Sequence, residues 1–405
     1  MIYQPPSGAR DLFPLDVSQK RWIEDRLETV FLRWGYHRII TSTVEHLDTL
    51  MAGGAIDQSQ VIELQSHQGE RLGLRPELTA SIARAAVTRM KAVTYPQRLC
   101  YYANVFRRSP TGSHGGQQEY YQAGVELLGN QGLMADAEIL LLLTDALQAL
   151  GLTAWHLILG EAALTRSFLE PFPETVRSQV RLAIANLDRV TLETLALPQD
   201  LLQYALQIMD LRGSPQSVLT QVHQLDLDPQ QQTRVNDLKS LVELLSHSLP
   251  ATGPSLLLDL SLIQPFDYYT GLVFEVVSQA SCEVIAQGGR YDHLLGVYHP
   301  QRQGYPGIGF VLNIDTLQQV LLPDGQLPTE TPASDWLVVP RTPAAAAAAF
   351  AYAQKIRQSA SLIRVELNLD LHKAPQALRD LARQRRISRI AWIPEVGAPE
   401  IEAVS

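Results

Sequence analysis

Five short segments of this 405-residue chain hold residue types suited to gripping a small polar ligand. In Leu72-Gly-Leu-Arg-Pro-Glu-Leu-Thr79, a strand pattern ending at Pro76 gives way to a helix opened by Glu77 and Thr79. Glu77 there either favours the positive end of the helix dipole or, with Thr79, holds an ammonium group. Next come Val105-Phe-Arg107 and Glu119-Tyr-Tyr-Gln-Ala-Gly-Val-Glu126, separated by a polar, glycine-rich loop. Strand alternation places Tyr120, Gln122, Gly124 and Glu126 on one face. Such a row is ordinarily a solvated face, but Gly124 in its middle opens space over the sheet where a ligand can lie. Asp267-Tyr-Tyr-Thr-Gly-Leu-Val-Phe-Glu275 and Ala286-Gln-Gly-Gly-Arg-Tyr-Asp292 read as hairpin turns, with Gly288 and Gly289 allowing close backbone approach. Gly304-Tyr-Pro-Gly-Ile-Gly-Phe310 is weakly like a phosphate-binding loop and lacks its lysine. Other chemistries have little support. The ten histidines form no HExxH zinc pattern, no GxSxG nucleophile elbow is present, and His114, His293 and His299 sit in loop-like surface sequence.

The elements that must position these residues follow from periodicity. Apolar residues from Asp16 to Trp34 fit one helical face, and Tyr36 to Val44 reads as a strand. Gly69 and Gly73 bracket a hairpin-like region before a helix from Leu78 to Met90. Arg98–Phe106 and Tyr120–Leu128 are strands, Ala135–Leu150 is a helix and Trp155–Leu159 a further strand. From about residue 164 to 250 Gln, Leu, Asp and Arg recur with helical spacing, a helical insertion in a sheet-based domain. Strands resume at Leu256–Asp259, Gly271–Val277 and Glu283–Gln287, with a last helix near Ile314–Val320. The reading is a core spanning 1–325, a proline-bearing linker over 323–334, and a small unit over 335–405 whose strand–helix alternation predicts a parallel α/β arrangement.

Composition narrows the class. Hydrophobic residues at 46% against 19% charged predict a globular chain with a large core, divided into two or three domains. A net charge of −9 argues against a protein whose main task is to hold nucleic acid. Two cysteines, Cys100 and Cys282, exclude a disulfide scaffold and fit a reducing cytoplasm. The opening residues lack the basic-then-apolar pattern of a signal peptide, and no apolar run approaches the ~20 residues of a membrane span.

In order and spacing the five segments, preceded by Pro6-Ser-Gly-Ala-Arg-Asp-Leu-Phe-Pro14, resemble a class II aminoacyl-tRNA synthetase catalytic domain, specifically histidyl-tRNA synthetase, from about Tyr3 to Leu322. The resemblance implies an α+β fold: an antiparallel sheet flanked by helices, with a helical insertion. It implies that Glu77 and Thr79 hold the amino group of histidine and that Gln122 lies near its carboxylate. Glu126 and Tyr269 would read the imidazole, Tyr268 would form an aromatic wall, and Arg107 would contact phosphate or carboxylate. A carboxylate and a phenol suit two ring nitrogens in either protonation state.

Departures from the synthetase pattern fall on the charges that handle ATP. Gln264 stands where an arginine precedes the Asp-Tyr-Tyr segment, and Thr316 stands where motif 3 carries arginine. Ser109 replaces an acid, the loop Ser113-His-Gly-Gly-Gln-Gln118 lacks arginine, and Ser42 replaces the motif 1 proline. Losing one electrostatic group of this kind costs about 10²–10³ in rate. The amino-acid pocket is retained while the ATP charges are gone. That profile is similar to the regulatory subunits of ATP phosphoribosyltransferase, synthetase paralogues that join a short-form catalytic subunit. The resemblance implies a non-catalytic subunit of the first step of histidine biosynthesis, with L-histidine as effector. It also implies a homodimer within a hetero-oligomer, no cofactor or metal, no membrane, and no tRNA, the C-terminal unit being like a truncated anticodon-binding domain. The competing readings are a divergent histidyl-tRNA synthetase, for which arginine is expected at 264 and 316, and a histidine-binding protein with another partner.

Overall fold

The computed structural model describes residues 3–54, 58–66, 69–90, 94–108, 116–250, 253–262 and 268–404. The chain divides into two compact units, Met1–Pro328 and Thr329–Ser405.

In the first unit the amphipathic opening forms α1 (Pro14–Arg33). Pro14 sits in its first turn, where a missing N–H is harmless, and Asp16 accepts the N–H of Phe13 at 2.9 Å. Gly35, at φ +80°, turns the chain into β1 (His37–Arg38). The predicted strand Tyr36–Val44 is therefore mostly something else, because here the chain leaves one sheet for another. The buried Arg75 guanidinium takes the carbonyls of Thr41 and Ser42 at 3.0 and 3.2 Å, and β2 (Val44–His46) enters a three-stranded sheet. There follow α2 (Leu47–Met51), β3 (Glu63–Gln65), β4 (Arg71–Leu74), α3 (Thr79–Thr88), β5 (Gln97–Phe106), β6 (Glu119–Leu128), α4 (Leu133–Ala149) and β7 (Trp155–Glu161).

The predicted helical segment comprises α5 (Ala162–Leu169), α6 (Glu174–Ala185), α7 (Arg189–Thr194), α8 (Gln199–Met209), the two-residue β8 (Arg212–Gly213), α9 (Pro215–Val222) and α10 (Pro229–Ser248). Several of its helices start where the sequence supplies side-chain caps. The side chains of Asp188, Ser214 and Asp228 accept first-turn N–H groups of α7, α9 and α10. The chain then returns through β9 (Ser255–Asp259), β10 (Leu272–Ser278), β11 (Val284–Arg290), α11 (Leu294–Tyr298), β12 (Gly307–Asn313) and α12 (Ile314–Leu321).

Among the described residues nine strands form one sheet, in the order β1-β5-β6-β12-β11-β10-β7-β9-β8. Its pairings are antiparallel except β1 with β5 and β7 with β9, so the antiparallel sheet expected from the sequence carries a parallel pair near each end. One face packs on α1, α4 and the helical segment through residues such as Phe31, Val125, Leu127 and Leu140. The other packs on α3 and α11 through Ile82, Leu99, Val105 and Leu295. Two readings are corrected. Gly288-Gly289, predicted in a turn, lies within β11, and the glycine-rich stretch ending at Phe310 runs into β12. Both strands are central, and their glycines serve packing between strands and side chains rather than a phosphate loop.

The second unit has β13 (Trp336–Pro340), α13 (Ala346–Ser359), β14 (Val365–Leu367), α14 (Pro375–Gln384) and β15 (Arg389–Ile393), with β13 parallel to both β14 and β15. β16 (Glu400–Ala403) adds an antiparallel edge to β15 that the short, half-acidic sequence Glu400-Ile-Glu-Ala does not signal. Among the described residues no helix is long and apolar enough to cross a membrane.

Candidate ligand-binding site

The site is built on a floor of glycines. Gly309 of β12 pairs with Glu126 of β6, and Gly289 of β11 pairs with Gly309. A methyl group on Gly309 would lie 2.0 Å from Glu126 Oε2 and 2.4 Å from the Val125 carbonyl. One on Gly289 would meet the Tyr269 ring at 2.7 Å, and one on Gly124 would meet Tyr101 at 2.4 Å. The missing side chains therefore make room for three large ones. This corrects the reading of Gly124: the Tyr101 phenol occupies the space above it. Gly288, on the opposite face, accommodates Phe274.

Glu126 is 1% exposed at the centre of the sheet. Thr79 Oγ1 donates to its Oε1 at 2.8 Å, and the Tyr291 hydroxyl donates to its Oε2. Burial pushes its carboxyl pKa up to about 8, against the pull of those two donors, and the nearby Glu77 charge adds to the rise. Glu77 is 6% exposed. Its Oε1 accepts the backbone N–H of Ala80 at 2.9 Å, the capping role, whereas its buried Oε2 has no hydrogen-bond partner. Burial raises its pKa as well, opposed by backbone N–H groups of the first turn, by the Thr79 hydroxyl and by Arg107. One oxygen of the carboxylate thus caps the helix start, and the other is left without a partner.

Aromatic rings close the site. Tyr268 and Tyr269 meet edge-on with centroids 4.8 Å apart, and Tyr268 meets Tyr291 edge-on at 5.9 Å. Arg107, just beyond β5, is oriented by its Nε–H on the Pro76 carbonyl at 2.9 Å. Pro76 directly precedes Glu77, so the guanidinium is fixed beside that carboxylate.

All seven residues singled out in the sequence, Glu77, Thr79, Arg107, Gln122, Glu126, Tyr268 and Tyr269, line one cavity of about 20 Å³. Sequence reasoning missed Tyr101, Gln287 and Tyr291, which line it too. The signal was present for the last two: Gln287, Gly289 and Tyr291 are spaced two apart and share the face on which Gly289 gives room to Tyr269. Arg75 was also passed over. It is 5% exposed and joins the Asn104 carbonyl of β5, at 3.0 Å, to those of Thr41 and Ser42. Of the ATP-related positions, Gln264, Ser109 and Ser113–Gly115 with His114 lie outside the described residues, as does Asp267. Thr316 is in the first turn of α12, its N–H capped by Asn313. The neighbouring Asp315 pairs with Arg10 and so fastens the N-terminal segment.

Chemically, the cavity offers two buried carboxylates and, among the described residues lining it, a single cation, Arg107. Phenol hydroxyls and the Gln122 amide supply neutral hydrogen bonds. A complementary ligand is small and polar, carries a cationic group for Glu77, and presents a hydrogen-bonding group to Glu126.

Comparison with known proteins bears on this arrangement. The family model described as histidyl-tRNA synthetase matches residues 8–317. A protein of a Nostoc species named ATP phosphoribosyltransferase regulatory subunit is 61% identical over the full length of both chains. One of the same name from Synechococcus elongatus is 54% identical, covering all of this chain and 98% of its own. Among solved structures, an ATP phosphoribosyltransferase regulatory subunit/histidyl-tRNA synthetase from Bacillus halodurans superposes with a TM-score of 0.82 at 24% identity, covering 98% of this chain and 100% of that one. A histidyl-tRNA synthetase of a Nostoc species gives 0.78 at 20% identity, covering 99% and 97%. At those identities the structural matches speak for the fold alone.

Proposed function

The chain belongs to the family of ATP phosphoribosyltransferase regulatory subunits, built on the histidyl-tRNA synthetase fold, and from that premise we propose that its buried cavity binds L-histidine as the effector of a separate, short-form catalytic subunit. The observation that carries the reading is Glu77 Oε2, a buried carboxylate oxygen without a partner on a side chain that lines the same cavity as buried Glu126. An α-ammonium group on Glu77 and Thr79 would satisfy it, with the imidazole reaching Glu126 and Tyr269 and the carboxylate lying toward Gln122 and Arg107.

The size of the cavity adds a mechanism. About 20 Å³ is less than an amino acid fills, so on this reading histidine is accommodated by a shift of the residues lining the cavity. A ligand that favours the shifted arrangement moves the balance between two arrangements, which is what an effector requires. The subunit itself carries out no aminoacylation on this reading, since the arginines that handle ATP in a synthetase are replaced by Gln264 and Thr316. It acts in the cytoplasm as a homodimer within a hetero-oligomer, without tRNA, metal or cofactor. The second reading, a divergent histidyl-tRNA synthetase, draws on the match to that family model over residues 8–317.

One experiment separates the two. The chain is mixed with the short-form catalytic subunit, and phosphoribosyl-ATP synthesis is followed with and without histidine. Synthesis that needs both chains and falls with histidine supports the proposal. Histidine-dependent pyrophosphate exchange by this chain alone, at a synthetase-like rate, sinks it.

A further inference from the structure

Tyr268 and Tyr269 also line a second, larger cavity of about 340 Å³. Its basic lining consists of Arg166 from α5, Arg234 from α10 and His293 just before α11. Among the described residues lining it there is no carboxylate. On a chain whose net charge is −9, the described residues bring two guanidiniums and an imidazole to one concave site, and the carboxylate of Glu161 pairs with only one of the guanidiniums, which leaves a local excess of positive charge.

The two guanidiniums are held in place. Arg166 Nη1 donates to the Tyr269 carbonyl at 2.9 Å, and Arg234 Nη1 donates to Glu161 Oε1 at 3.0 Å. A guanidinium has five N–H donors in a rigid fork, so one anchoring bond leaves others to a ligand. Paired forks of this kind match the oxygens of a phosphoryl group. Thr270 adds a hydroxyl, and Leu294 and Val297 provide an apolar wall for an organic part.

We propose that this cavity binds a small phosphate- or diphosphate-bearing metabolite, with Arg166 and Arg234 on the phosphoryl oxygens and His293 at the rim. Both arginines come from the helical segment, and His293 and the tyrosines come from the sheet core, so an occupant joins the two. The site is also wired to the first cavity. Arg166 holds the backbone of Tyr269, whose ring lines the proposed histidine site, and an anion that draws Arg166 away alters that hold. This coupling rests on the histidine reading; occupancy of the anion site does not.

The test is calorimetric titration of the full-length chain with inorganic pyrophosphate, in histidine-free buffer of low ionic strength, beside inorganic phosphate and citrate. Pyrophosphate is expected to bind more tightly than citrate, and Arg166→Gln to weaken it by about tenfold or more, the loss for one hydrogen bond to a charged group. Arg234→Gln should act similarly. Should it unfold the chain by stranding Glu161, Arg166→Gln decides, because it leaves that ion pair intact. No binding at millimolar pyrophosphate, equal binding in the Arg166 variant, or citrate binding as tightly overturns the site. Titrating histidine in saturating pyrophosphate then tests the coupling: its Kd should shift in the wild type and not in Arg166→Gln. An unshifted Kd removes the coupling. Pyrophosphate binding in a chain that takes up no histidine overturns the histidine reading and leaves the anion site standing.

Discussion

The Thr79 hydroxyl donates to Glu126 Oε1 across 2.8 Å, tying the first turn of α3 to the middle of the sheet through the carboxylate that faces the cavity. Glu126 is thus both a ligand contact in the proposed function and a fastening between two elements.

Glu126→Ala should separate those roles. Truncation removes the acceptor for an imidazole N–H and also leaves the Thr79 and Tyr291 hydroxyls without their acceptor. Loss of a hydrogen bond to a charged group costs roughly 1.5–3 kcal/mol, so histidine should bind on the order of 10- to 100-fold more weakly. The inhibition curve of the two-subunit complex should move to higher histidine in step, while activity without histidine persists. Unchanged inhibition would place the effector site elsewhere.

Glu77→Gln tests the ammonium contact with little damage to the fold. The amide oxygen can still accept the Ala80 N–H, so the start of α3 keeps its cap. What disappears is a desolvated negative charge. Histidine affinity should fall by about tenfold or more, and the unliganded chain should melt higher, since burial makes the carboxylate charge costly even beside Arg107. Thermal melts with and without histidine read both effects.

The pH dependence of stability follows from the raised carboxyl pKa values. For Glu126 the folded value is about 8 against an ordinary 4.5, so the folded state binds the proton more tightly than the unfolded one. Its contribution to stability is present in full below 4.5 and is lost as pH rises through about 8. Glu77 shifts in the same direction. Urea midpoints measured without histidine at about pH 5.5 and about pH 8.5 should show a larger fall for wild type than for Glu126→Gln. Parallel curves for the two proteins would contradict the shift.

Gly309→Ala should damage fold and site together. The added methyl would lie 2.4 Å from the Val125 carbonyl, a backbone atom that cannot swing aside, and 2.0 Å from Glu126 Oε2. Overpacking of this kind costs about 1–3 kcal/mol. Gly132→Ala makes the comparison, because space beside that glycine is open and only its φ of +85° opposes the change. A Gly309 variant that melts and binds histidine like wild type would refute the close-packed floor.

The seven cavity-lining residues were legible mainly because their segments, in order and spacing, resemble the synthetase pattern, and strand alternation by itself reached only those on β6. Gln122 and Glu126 needed only period two on β6, and the helix start at Thr79 was marked by its acidic neighbour. The glycines misled for one reason: a sequence shows that a side chain is missing, not which neighbour fills the room. Gly124 read as open floor until Tyr101 from the adjacent strand was seen above it, and Gly288-Gly289 read as a turn because central strands seldom carry adjacent glycines. Likewise β1 was read too long because nothing local to Ile39–Thr43 reports that Arg75, more than thirty residues on, pulls the chain away from the sheet.

The glycine floor and the carboxylates above it would age differently if the cavity fell out of use. Gly309, Gly289 and Gly124 are required by backbone and ring atoms already present, so purifying selection for folding alone would keep them. Glu77 and Glu126 burden the fold with desolvated acid, and a one-atom exchange to glutamine relieves the charge. In a lineage where nothing cationic enters, drift toward the amide meets no resistance from stability and is helped by it. The floor would persist as a fossil, whereas the acids would persist only in a descendant whose fitness still depends on what they hold.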